Sequence, residues 1–333
     1  LSASVVSAQR PLNMNDYDLR NQYGTMPGLN DQNPNQIQYG NIGGVVDNNA
    51  PQEADTTQKP PKIRKPLESY FFDDSTRSRQ SFAWRVNLER NDVAIIEVDT
   101  ALNGFQNDYP FLQNNVGSAM LGNMGGASVP LDFFLRPQYS DFTFAQAFDA
   151  YLMTPERARF FNVKKPFTHL SYFMSGATQH LEEGLWVTHA QNVSPSTGFN
   201  LDYKSRGTRG QYEWQGAREK NLSLAFTHTG KKYSVHAGYI YNMGNLKENG
   251  GILRDRDITD TVFERPELLD VRLNDARNLF KNNTFYVVQS YGVPLRQLTD
   301  EDFSIARNST IFFGYSFLYS RFYKRYTDTK AES

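Results

Sequence analysis

The chain has 333 residues, 39% of them hydrophobic, with a formal net charge of -1 and a mean hydropathy of -0.62. That length holds one barrel-sized domain or two ordinary ones, and a charge so close to zero supplies no field to recruit nucleic acid, which is excluded as a partner. The absence of cysteine excludes disulfides and thiolate sites and suits an exported protein, while the lack of any run of about 18 apolar residues excludes a helical membrane span.

The opening LSASVVSAQR contains Val6-Ser7-Ala8, a small-x-small pattern like the tail of a secretory signal peptide. Residues 1–8 are therefore read as the end of a signal peptide cut before Gln9, with a plain unstructured chain end as the alternative. Residues 9–66 are rich in Asn, Gln, Asp, Gly and Pro with almost no periodic apolar residue, so they are expected to be a disordered tail that cannot repay the entropy of ordering. KPPK at 59–62 and KP at 65–66 should stiffen and extend its end.

Residues 67–165 are expected to hold an N-terminal hairpin followed by loops and short helices. Two alternating runs, Phe82–Glu89 and Val93–Thr100, flank the turn-forming Asn91-Asp92. Asp92, Glu97 and Asp99 read as solvated strand residues rather than a carboxylate site. GNMGG at 122–126 reads as a turn or close-contact loop, since no Gly-Lys pair or helix start follows it. Phe144 to Phe161 carries Ala145, Ala147, Phe148, Tyr151 and Leu152 at partly helical spacing, and Thr154-Pro155-Glu156 offers a cap with a proline at N1.

From 166 to 333 the pattern is strand after strand. About seven candidates are THLSYFMSG (168–176), GLWVTHAQN (184–192), TGFNLDYKS (197–205), a long run from Gln211 to His228, KKYSVHAGYIYN (231–242), TFYVVQSYG (284–292) and STIFFGYSFLYSRFY (309–323). In the third, Phe199, Leu201 and Tyr203 alternate with Asn200, Asp202 and Lys204, and in the fifth Tyr233, Val235, Ala237, Tyr239 and Tyr241 share one face. No helix separates the first five, which predicts an antiparallel meander.

Strands of this length, apolar and Tyr/Phe-rich on one face and polar on the other, carry the signature of a transmembrane β-barrel with lipid outside and water inside. A soluble β-sandwich also alternates, but it fills a dry core with Val, Ile and Leu. Tight connections at 192–196 and 229–232 fall on one side and the long connection after Asn242 on the other, as in outer-membrane barrels. Two features run against this pattern. The connection 293–308 is long for a periplasmic turn, and Arg218 and Lys220 share parity with Tyr212, Trp214 and Leu222, which needs a bulge or a strand projecting beyond the membrane. A short amphipathic helix is expected in the long connection, with Pro266 at N1 and Leu268, Leu269, Leu273, Ala276 and Phe280 on its apolar face.

KKPFT at 164–168 leading into LSYFM, THAQNVSP at 188–195, NLKENGGI at 245–252 and the earlier VDT (98–100) with LGNMG (121–125) together resemble the Bacteroidota-type putative porin family from about Trp84 onward. The resemblance implies an outer-membrane β-barrel, a cleaved signal peptide and passive passage of small solutes, and it supplies no catalytic residues. Family members are longer and end in an aromatic-terminated strand, whereas this chain ends YTDTKAES, so an incomplete, N-terminal portion of a barrel is expected.

No catalytic, metal or cofactor site is expected. His169, His180, His189, His228 and His236 show no metal-ligand spacing, and Glu182 and Glu183, tempting beside Trp186 as a glycosidase pair, point to opposite faces of a strand. Recurrent Tyr and Trp read as interface girdles rather than a sugar platform. The pore-lining face is assigned to Asn200, Asp202, Lys204, Glu213, Ser234, His236 and Asn242, a nearly neutral set that predicts weak ion selectivity. Arg206, Arg209, Arg254, Asp255, Arg256 and Asp257 are assigned to outer loops.

The resulting expectation is an all-β, antiparallel outer-membrane barrel of porin type without enzymatic activity, with short helices in its loops. It would partner with outer-membrane lipid and small hydrophilic solutes, and with further copies or other outer-membrane proteins. A non-conducting barrel acting as scaffold or export partner, and a soluble carbohydrate-binding β-sandwich, are the rivals.

Overall fold

A computed structural model describes Phe72, Thr76, Arg79 and residues 81–98, 117–121, 123–136, 142–259, 265–295 and 310–329. The signal-peptide and tail expectations (residues 1–66) and Asp99 lie outside the described residues. The main element is a seven-stranded sheet in strict meander order. Its strands are β6 (Phe167–Ser175), β7 (Glu182–Ser194), β8 (Thr197–Thr208), β9 (Ala217–Thr229), β10 (Tyr233–Lys247), β11 (Arg277–Pro294) and β12 (Thr310–Thr327), each antiparallel to the next. Each overlaps one of the seven strands read from period-2 alternation, though β9 starts later than Gln211 and β11 is longer than 284–292. Among the described residues β6 and β12 are the edges and do not pair with each other.

The turns follow from local chemistry. Between β9 and β10 the Gly230 amide donates to the Tyr233 carbonyl at 2.8 Å, and between β7 and β8 the register slips at Asn192/Ser194, the mark of a bulge. β9 begins only at Ala217, because Trp214 takes a positive φ of 55° and ends the extended path there. Arg218 and Lys220 do share a face with Leu222, Leu224 and Phe226, with no bulge between them. They occupy the first residues of the strand.

Ahead of the sheet lie two smaller ones. β1 (Ser81–Val86) pairs with β2 (Val93–Ile96) and, on its other side, with β5 (Phe160–Val163). The β1–β2 hairpin forms as expected, but its connection spans 87–92 rather than Asn91-Asp92 alone: the Asn87 side chain accepts from the Glu89 and Arg90 amides, and Asn91 sits at φ 54°. β3 (Ser118–Met120) and β4 (Ser128–Pro130) form a hairpin whose turn includes residues 123–126, where Gly125 has φ 88° and lies against Ala217 and Glu219.

Two helix expectations are corrected. The 144–161 stretch forms a 3₁₀ helix over Thr143–Tyr151, Thr154–Ala158 make only a single turn, and Phe160 and Phe161 are already strand β5. Pairing with β1 outweighs the helical spacing there. In the long connection only Pro266–Leu268 make a 3₁₀ turn; Ala276 is buried, and Phe280 is a strand residue because the Lys247↔Arg277 pair lets β11 extend the full length of β10.

The apolar core sits between the small β2-β1-β5 sheet and one face of the large sheet. Trp84 and Phe160 are fully buried there and pack with Phe82, Ile240, Tyr286 and Val288. Trp84 meets Phe72 and Phe82 rings at 5.0 and 5.4 Å between centroids. Truncating such a residue to alanine removes about 3–5 kcal/mol.

Candidate functional site

The covered face of the large sheet mixes core residues such as Ile240, Tyr286 and Val288 with many polar ones, while its open face is largely apolar, contrary to the rule for a protein folded in water. Asn200, Asp202, Ser223, Ser234, His236 and Asn242 are 1–3% exposed, whereas Leu170, Tyr172, Met174 and Phe313 are 61–66% exposed. The polar face is the covered one. In water, apolar side chains exposed on every strand of a sheet would form a patch well beyond the few hundred Å² that soluble monomers carry.

The exposed apolar residues form a band, and it runs diagonally. In β6 it is centred on Tyr172, whose row of paired residues runs Leu185, Ser205, Lys220, Met243, Lys281 and Tyr323. In β12 the apolar residues are Ile311, Phe313, Tyr315, Phe317 and Tyr319, centred on Tyr315, which precedes Tyr323 by eight residues. Eight residues at about 3.3 Å cover about 26 Å, and the six steps between β6 and β12 cover about 29 Å, so the strands cross the band at about 40° to its normal. Beyond one border of the band stand Arg218, Lys220, Lys247, Arg277, Lys281 and Arg325. None of the three tryptophans lies in it: Trp84 is in the core, Trp186 faces the polar side, and Trp214 lies in the β8–β9 connection, donating from Nε1 to the Ala276 carbonyl at 2.8 Å. The large aromatic residues of the band are tyrosine and phenylalanine alone.

The polar face is held by the preceding segment through directed contacts. The Asn242 amide accepts from the Met153 amide at 2.9 Å and donates to the Met153 carbonyl at 2.8 Å, reproducing strand pairing with a side chain. It also takes part in a cross-strand series, accepting from Asn221 at 2.7 Å and donating to Asn282 at 3.0 Å, and Thr284 continues it by bonding to Asn282 and, at 2.9 Å, to Ser320. Trp84 Nε1 donates to His236 Nε2 at 3.0 Å, which fixes that nitrogen as the acceptor of a neutral imidazole. Arg159 pairs with Asp202 and donates to Thr188 at 3.1 Å, and the Asn200 amide donates to the Arg159 carbonyl at 2.9 Å. The Asn123 side-chain amide donates to the Gln215 carbonyl at 2.7 Å, and the Gln215 side-chain amide donates to the Leu121 carbonyl at 2.9 Å.

Of the seven residues assigned to this face from sequence, Asn200, Asp202, Lys204, Ser234, His236 and Asn242 lie on it. Glu213 does not: it is exposed in the β8–β9 connection, because the strand starts later than the alternation suggested. Arg206 is corrected in the opposite sense. It is a buried inward residue of β8, with Nη1 donating to Glu219 at 3.1 Å. Glu219, Asn221 and Asn282 were missed, although period 2 counted from Ala225 or Thr284 would have found them. Arg209 is a loop residue, as expected, bonded to the Thr178 carbonyl, and Arg254 pairs with Asp257 at 2.8 Å, which raises the Arg254 pKa further above its ordinary value. Glu182 and Glu183 do diverge, Glu182 turning inward toward Thr208.

A cavity of about 200 Å³ remains between the 142–156 segment and β11–β12, with Gln146, Asp149, Glu156, Asn282, Thr284 and Ser320 in its lining. With that geometry in hand, comparison with known proteins adds one positive finding: residues 80–333 match the model of the family described as "Putative porin". The chain belongs to that family. The matched range starts one residue ahead of β1, so in this porin-family chain it spans both the small sheet and the large one. No curated protein and no solved structure matches the chain.

Proposed function

We propose that the chain is an outer-membrane porin whose large sheet is an arc of a transmembrane β-barrel wall, and that it passes small hydrophilic solutes by diffusion along the polar face. The observation that carries this is the reversed amphipathicity of the sheet, with its diagonal apolar band. A tilt of about 40° matches the 35–45° that barrel strands adopt. Lipid is then the partner of the apolar face, and backbone groups at depth are satisfied by neighbouring strands. Outer-membrane barrels begin at about eight strands, so seven are read as part of a wall rather than a closed one. Membership of a porin family supports the same reading.

One observation favours a second reading, a non-conducting barrel acting as scaffold or export partner. The Asn242–Met153, Trp84–His236 and Arg159–Asp202 contacts lay the preceding segment over much of the polar face. Planar-bilayer conductance of detergent-purified protein separates the two: discrete steps are expected for the porin, and insertion without steps favours the scaffold. A monodisperse protein that needs no detergent would sink both and revive a soluble sandwich.

A further inference from the structure

Counted along the sequence, the polar face is nearly neutral, with Asp202 and Glu213 set against Lys204. Folding redistributes that count. Asp202 is taken up by Arg159, Glu219 by Arg206 with side chains 3–4% exposed, and Asp149 by Arg157 at 3.1 Å. Glu213 has left the face altogether. Among the described residues Lys204 has no carboxylate within ion-pair distance. Its ammonium lies 5.3 Å from the centroid of the Trp186 ring, and the Arg206 guanidinium carbon lies 5.7 Å from the same ring. Two cations drawn to one indole ring repel each other, and the ring quadrupole offsets only part of that cost.

Two buried donors beside this pair find no acceptor in the protein, Trp186 Nε1 and Arg206 Nε. Arg85 on β1 stands within electrostatic reach of Arg159 and Arg157, its pKa held below the ordinary value by burial first and by those two guanidinium groups second. Asp202 and Glu219 are each matched by an arginine, and Glu182, the other inward carboxylate of this corner, accepts from Thr208, so the charges set against the Trp186 ring are the two cations. Buried N–H donors without acceptors in a cationic setting are what a small oxyanion satisfies, through charge-assisted hydrogen bonds.

Resting on the porin reading, we infer that Lys204, Trp186 and Arg206 form an anion-selecting site on the polar face, which favours small solutes bearing a carboxylate or phosphate. Charged side chains lining a narrow passage set its ion preference, and here the preference is for anions rather than neutral. The test is the reversal potential, in planar bilayers under a KCl gradient, of the protein expressed from its full open reading frame and purified from outer membranes. Wild-type protein is expected to pass chloride several-fold better than potassium; Lys204→Gln should bring the ratio toward one, and Lys204→Glu should invert it. Glu213→Gln should leave it unchanged. Heat-modifiable migration in gels checks that each variant folds, and Lys204→Gln, which keeps size and polarity, carries the test if Lys204→Glu does not fold. Wild-type steps with no anion preference, or a ratio unmoved in Lys204→Gln, overturn the inference alone. Absence of wild-type steps overturns the porin reading and the inference together.

Discussion

Asn242 shows how much one side chain decides. Its amide is 1% exposed and bonds to both backbone groups of Met153 and to two neighbouring asparagines. Removing it leaves buried donors and acceptors unpaired, at about 1–3 kcal/mol for each group. Asn242→Ala is therefore expected to loosen the Thr143–Val163 segment by more than about 2 kcal/mol, seen as faster amide exchange at Met153 with little change in β10. Unchanged protection at Met153 would mean that this contact does not hold the segment. From sequence Asn242 was legible as an inward polar residue, but not as a clamp, since Met153 lies 89 positions away in the chain.

At the scale of strands, the pairing of β10 with β11 rests on glycines facing aromatic rings. Gly238 is paired with Tyr286 and Gly244 with Phe280, and in each case the ring folds over the glycine so that an added Cβ would overlap it. Phe280 in turn stacks on Phe148 of the 3₁₀ helix at 5.1 Å, so the same device ties the preceding segment to the wall. Gly238→Ala should push Tyr286 off its site and cost about 1–3 kcal/mol. In a double-mutant cycle with Tyr286→Ala the two costs should be less than additive, and strict additivity would show that the ring is not constrained by the glycine. Alternation exposed all seven strands in advance because period 2 is local. The helix expected at 266–280 is cut short because residues from Arg277 onward pair with β10, which leaves only the Pro266–Leu268 turn ahead of the strand.

For the whole molecule, the proposed membrane position follows from the diagonal band, and it makes a depth-dependent prediction. Leu224 lies in the middle of the band, paired with Leu201 and Tyr239, whereas Met243 lies near its charged border, paired with Lys220 and Lys281. An arginine at the bilayer midplane costs a barrel about 2–4 kcal/mol, and one near the interface about 0–1 kcal/mol. Leu224→Arg should therefore reduce folding into lipid vesicles sharply while Met243→Arg is tolerated. Equal sensitivity at both positions would contradict a membrane-spanning placement.

The sequence by itself determined the class of the protein: antiparallel strands, their order, their apolar and polar faces, and the resemblance to a porin family. Those properties reside in spacing of two residues and in short connections, which the local chain dictates. Only the tertiary structure decided what lies against the polar face. Arg159 reaching Asp202, Trp84 reaching His236 and Met153 reaching Asn242 join positions 43, 152 and 89 residues apart. No local pattern encodes such pairs, because the charge or hydrogen bond one residue lacks is supplied by whichever distant segment the fold brings to it. For the same reason the net charge of that face could not be counted from the strands alone.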